Sequence, residues 1–208
     1  DWDFALQLNR FQEAVQAIRD AGLETGLVHC DNTPGTILHR ECQFDMCRVG
    51  IGLYGLQPAE TTAPRIQLEP VMSVRARVTR AVYPEVGDGV GYGLTWRVPK
   101  RNMQVATVPI GYADGLSRIL SNNMDVLVDG MRCRQVGRIC MDQFMFAVDV
   151  NAARSYHPGR PVTEGDIVTV IGRDGDEEIT IDEMAAIQGT INYEVACGFG
   201  MRLEKIYV

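Results

Sequence analysis

Four groups of residues mix glycine, aromatic and ionisable side chains in ways that could support chemistry. The first is His29-Cys30-Asp31-Asn32-Thr33. It follows a short apolar run and reads as a strand running into a helix start, where free amides and a threonine hydroxyl can hold an anion. An ordinary helix cap accounts for the same residues. The second is Met46-Cys47-Arg48-Val49-Gly50-Ile51-Gly52-Leu53-Tyr54-Gly55. An arginine near the end of an apolar strand is costly unless paired, and glycines after it let backbone approach a ligand. An arginine reaching to a rim explains it equally well. The third is Gly91-Tyr92-Gly93, whose phenol could act as acid or base or simply mark a bulged strand. The fourth joins Ile110-Gly111-Tyr112-Ala113-Asp114-Gly115 to Gly137-Arg138-Ile139-Cys140-Met141-Asp142-Gln143. Strand ends and turns are the plain reading of both pieces.

These residues need elements to position them. Phe4, Leu8, Phe11, Val15 and Ile18 alternate at spacings of four and three, which predicts an amphipathic helix over residues 1–23. Asp1 and Asp3 suit its N-terminus, and Gly22 suits its end. Short apolar runs predict strands at Gly26–Cys30 and Met46–Val49, an α/β pattern. Residues 58–70, rich in proline and threonine, read as a linker. Beyond it the chain turns mostly β. Residues 74–79 alternate apolar and polar with period two. Further strands are predicted at Gln104–Ile110, Asp125–Val128, Arg132–Val136, Met145–Val150, Ile167–Ile171 and Met201–Tyr207. Asp129-Gly130 and Asp174-Gly175 signal hairpins. Thr180-x-x-Glu183 is a capping box for a helix that Gly189 ends. Such spacing suggests a closed or nearly closed β-barrel.

Composition narrows the classes. Hydrophobic residues make up 46% and charged residues 23%, as in a globular protein with a real core. The net charge of −7 argues against nucleic acid as a partner. No apolar run spans a bilayer, so no membrane partner is expected. The six cysteines form no CxxC pair and read as reduced, mostly buried thiols of a cytoplasmic protein. The three histidines show no ligand spacing, so no metal is expected. The start at Asp1, without methionine, reads as part of a longer product.

In order and spacing, the four groups together with Thr190-Ile191-Asn192-Tyr193-Glu194 make the chain similar to alanine racemases. The Gly137–Gln143 run is the most specific piece, and the resemblance covers nearly the whole sequence. It implies the last units of a pyridoxal-phosphate-binding (β/α)8 barrel, incomplete, at residues 1–65, and the C-terminal β-domain at 66–208. It implies that Asn32, Thr33, Gly50, Ile51 and Tyr193 bind the cofactor at or near its phosphate. Arg48 would face the pyridine nitrogen, to which arginine gives no proton. Tyr92 would be the base acting on the L-enantiomer. A free phenol titrates at about 10, so it needs cationic neighbours, with Arg48 contributing through a histidine that the resemblance puts ahead of Asp1. Met141 and Asp142 would bind substrate, and Tyr112, Arg118, Arg138 and Ile191 would line its entryway. The cofactor lysine would also lie ahead of Asp1, since neither Lys100 nor Lys205 fits its motif.

Two departures from the family pattern stand out, Pro34-Gly35 after the threonine and Gly91 before the tyrosine. The implied activity is interconversion of L- and D-alanine by two bases in a cytoplasmic homodimer with composite sites, supplying D-alanine for peptidoglycan. The chain alone is expected to be inactive. A serine racemase and a non-catalytic dimerisation module are the alternatives. Tyr193, where a smaller polar residue would suit serine, favours alanine.

Overall fold

The structure is a computed structural model that describes residues 2–151 and 161–208. Asp1 lies outside the described residues. The chain divides into two compact units, Asp1–Val71 and Met72–Val208.

The first unit opens with helix α1, Trp2–Asp20. Gly22 ends it at φ +73, with the Leu23 amide reaching back to the Ile18 carbonyl at 3.2 Å. Phe4 stacks on His39 with ring centroids 3.6 Å apart, and Phe11 meets Phe44 edge-on at 5.5 Å. No described residue of α1 is fully buried, so its apolar face is only partly covered. Helix α2, Thr33–Leu38, is capped by Asn32, whose side chain accepts the Gly35 amide at 3.0 Å. The strands expected at 26–30 and 46–49 do not form. The two segments run side by side, joined by Asp45 N to Val28 O (3.0 Å) and Arg48 N to Asp31 O (2.9 Å). A strand needs a repeating ladder, which apolar composition alone does not supply.

The second unit is antiparallel β. Its strands are β1 Val74–Arg77, β2 Arg80–Val82, β3 Gly89–Val90, β4 Trp96–Arg97, β5 Met103–Val108, β6 Asp125–Val128, β7 Met131–Val136, β8 Phe144–Asp149, β9 Ile167–Asp174 and β10 Glu177–Ile179. The main sheet runs β1-β9-β6-β7-β8-β5-β2, with β10 on β9, while β3 and β4 form a separate ribbon. Only Val78 and Thr79 separate β1 from β2 in the chain. Val78 bonds to the Gly165–Asp166 backbone and Thr79 to Thr107, so the sheet's two ends meet through one bent segment. The predicted strand at 74–79 therefore stops at Arg77, and the corner links the sheet's two edge strands through the chain, with no ladder between them.

Asp129 and Gly130 both hold positive φ, +49 and +73, as a two-residue hairpin requires. Phe144, Phe146, Leu127 and Ile171 are fully buried in the core. Helix α3, Ile181–Gln188, starts at Thr180, whose hydroxyl accepts the Glu183 amide at 3.0 Å, and ends at Gly189. Helix α4, Asn192–Gly198, follows. Residues 201–207 form no strand, because their alternation meets no neighbouring strand among the described residues and leaves Met201 and Ile206 exposed.

Of the cysteines expected to be mostly buried, only Cys42 and Cys133 are, while Cys197 is exposed. No helix among the described residues is long and apolar enough to cross a membrane.

Candidate active site

The first unit brings Thr33, Arg48, Gly50 and His29 together. Thr33 is buried, and its hydroxyl oxygen accepts the Gly50 amide at 2.9 Å. With that lone pair engaged, the hydroxyl proton is left to donate. The Gly50 amide is occupied by the same bond, so a ligand reaching it competes with Thr33. Ile51 begins a short 3-10 turn, Ile51–Tyr54, whose first amides have no partner within the turn. Asn32 uses its carboxamide oxygen on the α2 cap.

Arg48 Nη1 lies 2.6 Å from His29 Nδ1, and Nη2 donates to the Cys30 carbonyl at 3.2 Å. An arginine only donates, so Nδ1 accepts and the imidazole carries its proton on Nε2. Sequence spacing gave no hint of this pair, which is 19 residues apart. Beside it, Asp31 is 3% exposed and its Oδ2 has no hydrogen-bond partner.

In the second unit, three turns bear Tyr92, Tyr112 and the Met141–Asp142 pair. Tyr92 stands on a 3-10 turn, Tyr92–Leu94, and is 76% exposed. The flanking Gly91 and Gly93 hold φ of +70 and +73, a region that side-chain-bearing residues avoid. The Gly111–Asp114 turn carries Tyr112. It is zipped to the Cys140–Gln143 turn by Tyr112 N to Cys140 O and Ala113 N to Met141 O, both 3.0 Å. A side chain on Gly111 would strike the Met141 carbonyl at 2.2 Å, so only glycine permits this approach.

Asp114, 5% exposed, accepts the Gly111 amide at 2.8 Å and pairs with Arg202 at 3.2 Å. Arg202 also holds Asp142 at 2.6 Å, so one guanidinium ties the Tyr112 turn to the Met141–Asp142 turn. Sequence reasoning missed Arg202, because nothing local marks a partner 60 residues away. Arg118 and Arg138 line one cleft of about 480 Å³ with Thr95, Ile119, Ser121 and Asn122. Ile191, 61% exposed, sits at the cap position of α4, and Tyr193 lies in its first turn. Burial pushes the Tyr193 phenol up, which keeps it a neutral hydrogen-bond donor near neutral pH.

Comparison with known proteins gives these residues a context. The sequence profile described as "Alanine racemase, C-terminal domain" matches residues 71–207, and that of the N-terminal domain matches 2–58. An alanine racemase of Symbiobacterium thermophilum is 40% identical over 97% of this chain and 51% of its own length. One from Methanococcus maripaludis is 39% identical over 98% of this chain and 52% of its own. The crystal structure of the Bacillus anthracis enzyme with bound L-Ala-P superposes with a TM-score of 0.86 at 37% identity, covering 96% of this chain and 49% of that one. The chain thus spans about half the length of the relatives it matches. Profile, sequence and fold agree along nearly all of it: the chain belongs to the alanine racemase family.

Proposed function

We propose that the chain supplies part of a pyridoxal-phosphate-dependent racemase that interconverts L- and D-alanine. The observation that carries this reading is the first unit's polar cluster. The Thr33 hydroxyl accepts the Gly50 amide and the Arg48–His29 pair stands nearby in sequence and fold, at positions the family resemblance gives to the cofactor. A hydroxyl with a proton to give and a fixed guanidinium form a donor set that fits a phosphorylated pyridine.

When bound, pyridoxal phosphate supplies the electron withdrawal that makes an amino acid's α-proton removable. Thr33 and the Ile51 amide would hold the phosphate, with Gly50 and Asn32 shaping its loop and the neutral Tyr193 phenol as a further donor. Arg48, permanently protonated and anchored on His29 and Cys30, would face the ring nitrogen and has no proton to give it. Tyr92 would take or return the α-proton at its phenolic oxygen on the L side. The second base would be the cofactor lysine, which is neither Lys100 nor Lys205. The Met141 amide would hold the substrate carboxylate, Asp142 would help shape that site, and Tyr112, Arg118, Arg138 and Ile191 would line the way in. We assign Tyr92, Met141 and Asp142 to the partner's site in a cytoplasmic homodimer, with residues 1–65 as barrel and 66–208 as β-domain, and the product to peptidoglycan synthesis.

Polarimetry on L-alanine with pyridoxal phosphate added tests this. The 208-residue chain alone should leave the rotation unchanged. The protein completed to the length of its relatives should racemise alanine, and Tyr92→Phe should slow it by about a hundredfold or more. Racemisation by the chain alone, or indifference to Tyr92→Phe, would overturn the proposal.

A further inference from the structure

Two residues of the cleft lined by Arg118 and Arg138, Asn122 and Thr95, belong to a polar hub in the second unit. Asn122 sits in the left-handed region at φ +64, two residues before the buried Met124 that leads into β6. Its three polar groups reach two segments, the end of β7 at Gln135–Gly137 and the turn end at Thr95. The backbone amide donates to Gln135 Oε1 at 2.5 Å, Oδ1 accepts the Gly137 amide at 2.7 Å, and Nδ2 donates to Thr95 Oγ1 at 3.2 Å. Gln135 is fully buried and anchors the hub further, donating to the Val136 and Gly137 carbonyls at 3.1 and 3.0 Å.

Thr95 is the residue that closes the Tyr92–Leu94 turn. That turn is conformationally demanding. Beyond Gly91 and Gly93, Leu94 holds φ +48 despite its side chain, and such backbone persists only where its surroundings hold it. Arg138 lies against the same turn, for a Cβ on Gly91 would come within 3.4 Å of its amide, and Gly137 lies against Val90 just before the turn, where a Cβ would come within 2.6 Å of the Val90 carbonyl. Asn122 therefore bonds to both partners at once, the end of the tyrosine turn and the backbone on which the turn rests. The Gly137 amide can only donate, so the asparagine oxygen must face it and the NH2 group must face Thr95. Asparagine also tolerates the left-handed backbone required here.

We propose that Asn122 is a positioning residue for Tyr92, acting through Thr95 and Gly137 to fix where the phenol stands. The proposal rests on Tyr92 being a proton-transfer base.

The test uses the protein completed to the length of its relatives. Asn122→Gly keeps the left-handed backbone but removes both the acceptor for Gly137 and the donor to Thr95. Thr95→Val removes the acceptor at similar shape, and Thr95→Ser keeps it. Asn122→Gly and Thr95→Val should each lower kcat for alanine by about ten- to a hundredfold with KM nearly kept, since a small misplacement of a reacting group has that scale of cost. The double variant should be no slower than Asn122→Gly alone, and Thr95→Ser should keep the rate. The isotope effect with α-deuterated L-alanine should rise in Asn122→Gly, and Asn122→Gly should add nothing in a Tyr92→Phe background. Melting temperatures identify any loss due to unfolding. Rates indifferent to both variants, or losses that multiply with that of Tyr92→Phe, would overturn the proposal. If Tyr92→Phe itself leaves the rate intact, the base assignment fails instead, and the two failures are told apart.

Discussion

The two units solve the problem of holding a site in different ways. In the first, only Val28, Cys42, Ile51 and Leu56 are buried apolar residues among those described, while Trp2, Leu23, Leu27 and Leu53 are exposed. Its chemistry-bearing residues are fixed by polar bonds between two short segments, 28–33 and 45–50. In the second, an antiparallel sheet buries Phe144, Phe146, Leu127, Ile171 and many others, and the functional turns lie in connections between strands. A polar cluster can thus be well defined where the core beneath it is thin. Stability should be concentrated in the second unit.

The largest effect should come from Phe146→Ala. This residue is 0% exposed in β8 and sits between Ala106 and Gln135 in the ladder. Truncating a buried phenylalanine costs about 3–5 kcal/mol. Phe11→Ala, which removes a half-buried ring with an edge contact to Phe44, should cost about 1 kcal/mol. Urea unfolding measures both, and equal losses would break the contrast.

Next in size is an alkaline effect. Burial, with Asp125 adding to it, pushes the Cys133 thiol up from 9.0 to about 12. A thiol raised on folding stabilises the fold while protonated. Its contribution is fully present below pH 9.0 and is lost as pH rises towards about 12. The loss is at most about 4 kcal/mol. Stability measured across that window should fall more steeply in the wild type than in Cys133→Ala. Identical slopes would sink the assignment of the alkaline loss to this thiol.

How much of this was legible in the sequence depends on how local the cause is. The Thr180 cap, Asp129-Gly130 and the end of α1 at Gly22 are written in neighbouring residues, and the structure follows them. The other half of the expected capping box is missing, because the Glu183 carboxylate pairs with Arg132 at 2.8 Å, a partner 51 residues away. The runs at 26–30, 46–49 and 201–207 carry strand-like composition without a partner, and pairing is a property of two segments rather than one. The same holds in the site. Thr33, Arg48 and Tyr92 stood out by type and by glycine neighbours. The groups that hold them did not, because His29 reaches Arg48 across 19 residues, Asn122 reaches Thr95 across 27 and Arg202 reaches Asp142 across 60.

The smallest effect compares two caps. Thr180 caps α3, which buries Ile181, Met184 and Ala185, so its cap bond is coupled to the core of the second unit. Asn32 caps α2, a six-residue helix whose only buried residue is Thr33. Both side chains satisfy one amide, at Glu183 and Gly35, each at 3.0 Å. Losing such a bond costs about 1 kcal/mol wherever the helix is part of the cooperative fold. Thr180→Ala should therefore lower global stability by about that amount. Asn32→Ala should instead appear as faster hydrogen exchange at the Gly35 amide, because a thinly buried segment opens locally before the rest unfolds. If Asn32→Ala moves the global unfolding midpoint as far as Thr180→Ala does, the first unit is held as cooperatively as the second, and the contrast between polar cluster and packed sheet is wrong.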